Sequence, residues 1–378
     1  MTPLRVAIGA IAGVTGGPAT YAVELVHALA ALDDDRLELV VLTDRPDLFA
    51  RAARTRVAEI PLPSPWRQPW WDNVAVPWRL RTIGADVYHG TKHALPLLPL
   101  AARTARVVTI HDLAVLVEPE TFSAAQHLQL VVHLRHAARV ADRIVCVSQH
   151  AAADVRARLG VAAERIAVVP HGIGARFVPL RDEPRRAAVR RSYGAGDGFL
   201  VSFVGTAQPR KRIEVAVEAV ARLHADGLPV TLVIAGRRRP GYTAAWLDAP
   251  PPFVRIAGEL DAASLVELYG ASDVMVSPSS FEGFGLTFVE AMACGCPVVG
   301  VAATSVPEVV GDGGLLVERP DAELVAAALA RLLGDPALRA ATAQRALARA
   351  GELSWRRAAE QTRDVYLAAA ASRRGAGR

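Results

Sequence analysis

One pattern constrains this chain more than any other. Short runs rich in Val and Ile alternate with longer Ala- and Leu-rich amphipathic stretches. "LRVAIGAI" reads as a buried strand, "ATYAVELVHALAAL" as the helix after it, and "LELVVLTD" as the next strand. "DVYHG", "ARVVTIHD", "RIVCVS" and "RIAVVPHG" continue the strand series, with a helix in "SAAQHLQLVVHLRHAARVA". Such alternation specifies a parallel sheet with helices on both faces. Around residues 171–198 it lapses into "HGIGARFVPLRDEPRRAAVRRSYGAGDG", whose Gly, Pro and charge content marks a linker. It then resumes with "FLVSFVGT", "RIEVAVEAVARLHADG", "PVTLVIAG", "VRIAGE", "DVMVSP" and "CPVVG". The chain of 378 residues is too long for one ordinary core. The expectation is α/β, with two doubly wound halves of similar size. The last helix is expected in "SWRRAAEQTRDVYLAAAAS", with "RRGAGR" as a frayed basic tail.

Composition narrows the function classes. No apolar run is long and uncharged enough to span a bilayer, and the start reads as strand and loop rather than a signal peptide. The net charge of +5 suits an anionic ligand or an acidic membrane face. The arginines are spread along the chain and no nucleic-acid-binding signature is present, so nucleic acid is not expected as a partner. Three cysteines, Cys146, Cys294 and Cys296, are too few for a disulfide framework and read as small buried side chains in a reducing cytosol.

In open α/β sheets, ligands bind beyond the carboxyl ends of the strands. The informative residues lie there. After the first strand comes "GAIAGVTGGPATY", where Gly13, Gly16 and Gly17 allow close backbone approach ahead of a helix. The glycine spacing is not a clean G-x-G-x-x-G, and a plain tight turn explains it equally well. "VVTIHDL" places His111 and Asp112 at a strand end, with a helix cap as the plain reading of Asp112. In "VGTAQPRKRIEVAVEA", Gly205 ends a strand, and Arg210 and Lys211 precede a helix, a combination suited to phosphate.

"SSFEGFGLTFVEAMACGCP" is the sharpest motif. Gly283 and Gly285 break any continuous helix from Glu282 to Glu290, so Glu282 falls in a loop and Glu290 one turn inside the next helix. The amides of Gly283, Phe284, Gly285, Leu286 and Thr287 then head a helix and are expected to be free for phosphate or sugar oxygens. Carboxylates beside them accept hydrogen bonds from sugar hydroxyls. A sugar nucleotide offers hydroxyls at both ends and a diphosphate between. "SPWRQPWWDNVAVPW" holds Trp66, Trp70, Trp71 and Trp78, which fit an acceptor groove, a membrane interface or a packed surface segment.

Taken together, "VGTAQPRKRIEVAVEA", "SSFEGFGLTFVEAMACGCPVV", "ATSVPEVVGDGGLLV", "TIHDL", "ADVYHGTKHALPL" and "VSQHAAADVRARLGVAAERIAVVPHGIGARFVP" resemble family 4 of the glycosyltransferases. The resemblance runs nearly end to end. It implies the GT-B fold, two Rossmann-like domains facing a central cleft. It implies an acceptor-binding domain over residues 1–178, a nucleotide-sugar-binding domain over 179–354, and a helix and basic tail over 355–378 that cross back to the first domain. It implies retaining hexosyl transfer, an EC 2.4 activity, from a nucleotide-sugar donor to a lipid-linked, polysaccharide or small-molecule acceptor. GDP-mannose is the favoured donor, because the "TIHDL" region resembles transferases of polysaccharide assembly.

By position, Glu290 would bind the donor ribose and Glu282 the transferred sugar. Arg210 and Lys211 would neutralise the leaving diphosphate, which Gly16 and Gly17 would approach. His111 would sit near the reacting sugar, and backbone from Arg255 to Gly258 would meet the base. No metal and no cofactor are expected; the Asp-x-Asp match at Asp33 to Asp35 falls between a helix and a strand and reads as a solvated turn. A cytoplasmic location is expected, with peripheral contact at the inner membrane face. Two departures stand out: Arg212 and His171 occupy positions where Asn is common in the family. Three other readings compete: a GT-B sugar-nucleotide epimerase, an NAD-dependent oxidoreductase using Asp44, and a nucleotide-binding subunit without turnover.

Overall fold

The computed structural model describes residues 2–11, 16–61 and 70–376. Gly13 and Trp66 lie outside the described residues. Two compact units are present: Met1–Gly172 joined by Ser354–Arg378, and Ile173–Leu353. The first divide falls at Gly172 rather than residue 178, where the Ile173 amide donates to the Leu353 carbonyl at 3.2 Å within the second unit.

Unit 1 is built on seven strands: β1 (Leu4–Ala10), β2 (Leu37–Thr43), β3 (Thr55–Glu59), β4 (Val87–Gly90), β5 (Ala105–Ile110), β6 (Arg143–Cys146) and β7 (Ile166–Val168). Their order is β3-β2-β1-β4-β5-β6-β7, with every pair parallel. Both faces are covered, which is why these strands read as unbroken apolar runs. The helix Gly17–Ala31 buries Tyr21, Ala22, Leu25, Val26 and Leu29, the spacing of one helical face. The final helix, Trp355–Ala376, packs on it through Trp355, Ala358, Ala359, Tyr366 and Ala369 in one core cluster. The expected frayed tail is largely helix: it continues through Arg373 and Arg374 to Ala376, and the Arg373 guanidinium lies 3.3 Å from Asp142.

Unit 2 carries β8 (Phe199–Val204), β9 (Val230–Ala235), β10 (Val254–Gly258), β11 (Val274–Ser277), β12 (Val298–Val301) and β13 (Gly314–Val317). The order is β10-β9-β8-β11-β12-β13, again all parallel. The expected linker contains a helix, Glu183–Ser192, that composition concealed. Its start signals are nonetheless local: the Asp182 carboxylate accepts from the Arg185 amide at 3.0 Å, and Pro184 sits in the first turn.

Each sheet reverses its strand order once, at β1/β4 in unit 1 and at β8/β11 in unit 2. These are the crevices where doubly wound sheets bind ligands. All three cysteines are buried and free, and no described helix is long and apolar enough to cross a membrane. Of the tryptophans, Trp71 is a core residue, while Trp70 and Trp78 are exposed.

Candidate active site

The unit 2 switch point gathers the charged residues of two motifs that are about seventy positions apart in the chain. The loop after β8 brings Arg210 and Lys211; the loop after β11 brings Glu282. Lys211 Nζ donates to Glu282 Oε1 at 2.5 Å, and an Arg210 Nη1 lies 3.4 Å from Oε2. Lys211 is 7% exposed and Glu282 5%, so the pair is buried in earnest. Burial alone would push the Glu282 carboxyl up. Lys211 and Arg210 outweigh it and hold the group at about 2. The cluster of two cations and one anion therefore keeps one net positive charge.

Backbone ties fix this arrangement. Arg210 also donates to the Phe281 carbonyl at 2.5 Å, and the Ser280 amide donates to the Arg210 carbonyl at 2.9 Å. The Glu282 amide donates to Thr304 Oγ1 at 3.0 Å, while Ser305 Oγ donates to the Glu282 carbonyl at 2.9 Å. Three loops are thus locked to one another through the residue that neutralises Lys211. Arg212, next in the chain, adopts left-handed backbone with φ 47°. Asn tolerates that region better than Arg does, which gives a physical reason for the Asn common at this position in the family and none for the Arg.

Glu290 lies on the helix Leu286–Ala293 and is half-buried. Tyr269, fully buried, donates its hydroxyl to Glu290 Oε2 at 3.2 Å. Gly285 caps this helix in left-handed backbone with φ 87°, and a Cβ there would meet Phe288 at 2.8 Å. The five amides expected to be free are not equivalent. Gly283 and Phe284 are buried and engaged with the protein, and Phe288 donates back to the Gly285 carbonyl at 3.0 Å. Leu286 and Thr287, half-buried, are the first-turn residues of the helix.

Gly205 and Gly258 end β8 and β10, and Gly236 ends β9 between them. The Gly205 amide donates to the Ala235 carbonyl at 2.9 Å, and the Gly236 amide to the Gly258 carbonyl at 2.7 Å. A Cβ at Gly236 would lie 2.1 Å from the Gly205 carbonyl oxygen, so only glycine fits there. The result is a floor of bare backbone beside Lys211, whose Cε would lie 3.6 Å from a Cβ at Gly205.

In unit 1, His111 follows β5 and is 5% exposed. Its Nε2 lies 2.8 Å from the Thr91 carbonyl, so Nε2 carries the proton and Nδ1 the lone pair. Burial, with His93 and His171 close by, pushes its pKa well down, so the ring is neutral near pH 7. Tyr21 meets His111 edge-on at 4.9 Å between centroids and stacks on His171 at 4.9 Å; His171 reaches Trp355 at 5.5 Å. The Asp112 carboxylate accepts from the Ala114 amide at 3.0 Å from one position ahead of the helix cap, which is Leu113. Gly16 caps the helix Gly17–Ala31 with φ 133°, and a Cβ on Gly16 or Gly17 would meet nothing within 4 Å. Among the described residues, nothing covers that backbone.

Among the described residues no group of three or more His, Cys, Asp and Glu is placed to hold a metal ion. Asp33 and Asp35 are bridged by Arg54, and Asp34 pairs with Arg36. Sequence reasoning missed Tyr269, Gly236, Thr304 and Ser305. Gly236 alone carried a local signal, as a glycine directly after a strand.

Comparison with known proteins supplies the rest. Residues 15–176 match the family model described as Glycosyltransferase Family 4, and residues 186–349 match Glycosyl transferases group 1. The O-antigen chain mannosyltransferase B of Escherichia coli is 29% identical over 295 residues, 76% of this chain and 76% of that protein. The D-inositol 3-phosphate glycosyltransferase of Salinispora arenicola is 35% identical over 254 residues, 61% of this chain but only 56% of that protein. Among solved structures, HepE of Anabaena in complex with UDP-glucose superposes with a TM-score of 0.77 at 19% identity, covering 97% of this chain and 100% of that one. WaaG, a glycosyltransferase involved in lipopolysaccharide biosynthesis, gives 0.74 at 20% identity, covering 96% and 99%.

Proposed function

This chain belongs to the family 4 glycosyltransferases of the GT-B fold, and from that premise we propose that it transfers a mannosyl group from GDP-mannose, with retention, to a sugar-containing acceptor. The observation that carries the donor half is the Lys211–Glu282–Arg210 cluster at the unit 2 switch point. Breaking a donor's glycosidic bond builds negative charge on the diphosphate. Cations already held in place stabilise that charge without reorganising. Each carboxylate oxygen of Glu282 has two acceptor positions, so it can hold Lys211 and still accept from a sugar hydroxyl. Glu290, steadied by Tyr269, takes the ribose hydroxyls. Arg255 to Gly258 and the glycine floor lie against the nucleotide.

The neutral His111 keeps Nδ1 as an acceptor for a hydroxyl of the transferred sugar. Glu282 and Glu290 act as clamps rather than as an acid and a nucleophile. In this reading the departing phosphate oxygen takes the acceptor's proton, on the same face as the attack. Mannose is supported by the likeness to the O-antigen mannosyltransferase, which spans three quarters of both chains. The acceptor fits a lipid-linked or polysaccharide glycan met at the inner membrane face, with Trp70 and Trp78 as exposed contacts. No metal or cofactor takes part in the proposed transfer.

The test is thermal stabilisation by GDP, UDP, ADP, dTDP and NAD, with Glu290→Ala in parallel. GDP at 100 times its dissociation constant is expected to add about 2.7 kcal/mol to the wild type and much less to the variant. Stabilisation by UDP alone would move the proposal to another donor; stabilisation by NAD alone would end it.

A further inference from the structure

Unit 2 holds a second cavity, of about 430 Å³, that shares no lining residue with Gly205, Lys211, Glu282 or Glu290. One wall is the start of the helix Ile213–Ala225, with Glu214, Val217 and Glu218; the other is the segment Tyr242 to Trp246. Pro209 and Arg212 close the end nearest the Arg210–Lys211 loop. The volume falls in the range of about 300–1,000 Å³ typical of small-molecule sites. A short local structure creates it: the segment after β9 forms only four residues of helix, Ala245–Asp248.

The lining selects a ligand class. Two carboxylates, Glu214 and Glu218, oppose phosphates and other anions. The Arg212 guanidinium opposes a bare cation. A neutral ligand with many hydroxyls suits both, donating to the carboxylates and accepting from the guanidinium. The remaining wall is apolar and aromatic, from Val217, Pro209, Tyr242 and Trp246, and fits the C–H face of a sugar ring. Trp246 is 6% exposed, and its indole N–H is directed at the Tyr242 phenol, so the two rings present one aromatic wall with a polar edge.

We propose that this cavity is an accessory saccharide site, binding a neutral pyranose unit independently of the donor. Its place, one residue from Lys211 in the chain through Arg212, suits the capture of a glycan segment already built. The inference does not depend on the identity of the donor base.

The experiment is saturation-transfer NMR on the intact chain with methyl α-mannopyranoside and α-linked mannobiose, and with tetramethylammonium as a cationic control. Wild type, Glu218→Gln, Tyr242→Ala and Glu290→Ala are compared. The expected result is saturable sugar binding whose dissociation constant rises at least tenfold in Glu218→Gln and Tyr242→Ala but is unchanged in Glu290→Ala. Glu218 is exposed, so its Gln variant is a safe probe should Tyr242→Ala unfold. Absence of sugar binding, sugar binding indifferent to Glu218→Gln, or tetramethylammonium binding lost in that variant would each overturn the proposal.

Discussion

Unit 1 and unit 2 share a strand order, to which unit 1 adds β7, but their most prominent buried polar networks differ in kind. In unit 1 a chain of neutral groups runs between one face of the sheet and the two helices packed on it. The Tyr366 hydroxyl lies 2.7 Å from His89 Nδ1, His89 Nε2 lies 2.7 Å from Thr109 Oγ1, and Thr109 lies 2.8 Å from the Tyr21 hydroxyl. All four are essentially inaccessible, and burial pushes the His89 pKa down to about 3. In unit 2 the buried pair Lys211 and Glu282 is charged and stands past the strand ends. The difference follows from what each place allows. Inside a sheet, every polar atom must be satisfied by a neutral neighbour or the cost of burying charge prevails. Beyond the strands, loops from several crossovers bring cation and anion together, and a charge can be held ready for a ligand. The first network fastens a fold; the second is the one on which the proposed transfer rests.

That contrast can be broken most directly at Glu282. Glu282→Ala leaves Lys211 buried without its carboxylate, and unit 2 should lose about 3–5 kcal/mol in denaturant unfolding. A loss below 1 kcal/mol would mean that Lys211 simply moves to solvent and that the cluster is not poised at all.

Acid separates the two units next. His89 and His171 titrate near 3 in the folded chain, and His111 well below its ordinary value, against about 6.5 when unfolded. Their contribution is whole above about pH 6.5 and is lost as pH falls toward 3. Glu282, at about 2 folded and 4.5 unfolded, gives stability above about pH 4.5 that is lost as pH falls toward 2. Between pH 6.5 and 4.5 unit 1 should therefore weaken first, by up to about 1.4 kcal/mol per pH unit for each histidine. Hydrogen exchange resolved by unit is the measurement. Equal weakening of both units would refute the division.

The smallest effect sharpens the comparison. Tyr366→Phe removes one end of a neutral chain, and a cost of about 1 kcal/mol is expected from chemical unfolding. A cost as large as that of Glu282→Ala would show that the unit 1 network is as highly stressed as the charged cluster.

These two networks also mark what could be read in advance. The strand–helix alternation exposed both sheets, because buried parallel strands must be apolar along their whole length. Gly205, Lys211, Glu282 and Glu290 were legible because strand-end glycines and charges at helix starts leave local traces. The direct Lys211–Glu282 bond was not. It joins residues 71 positions apart, and nothing in either motif states its partner. Tyr269 was invisible for the same reason, being one apolar-looking residue in a helix whose hydroxyl matters only once Glu290 lies beside it. The helix Glu183–Ser192 was lost to its arginines, although Asp182 and Pro184 announced its start.

The return of Trp355–Ala376 to unit 1 has a consequence for how the molecule is made. Unit 1 is discontinuous, while unit 2 is one unbroken segment from Ile173 to Leu353. During synthesis the second unit can close on itself before the first is complete. Tyr21, Leu25 and His89 wait for Trp355 and Tyr366, which leave the ribosome only after all of unit 2. The usual order of N-terminal folding first cannot be completed for unit 1 here, and a nascent chain stalled before residue 355 would carry a whole unit 2 and a unit 1 with its core still open to water.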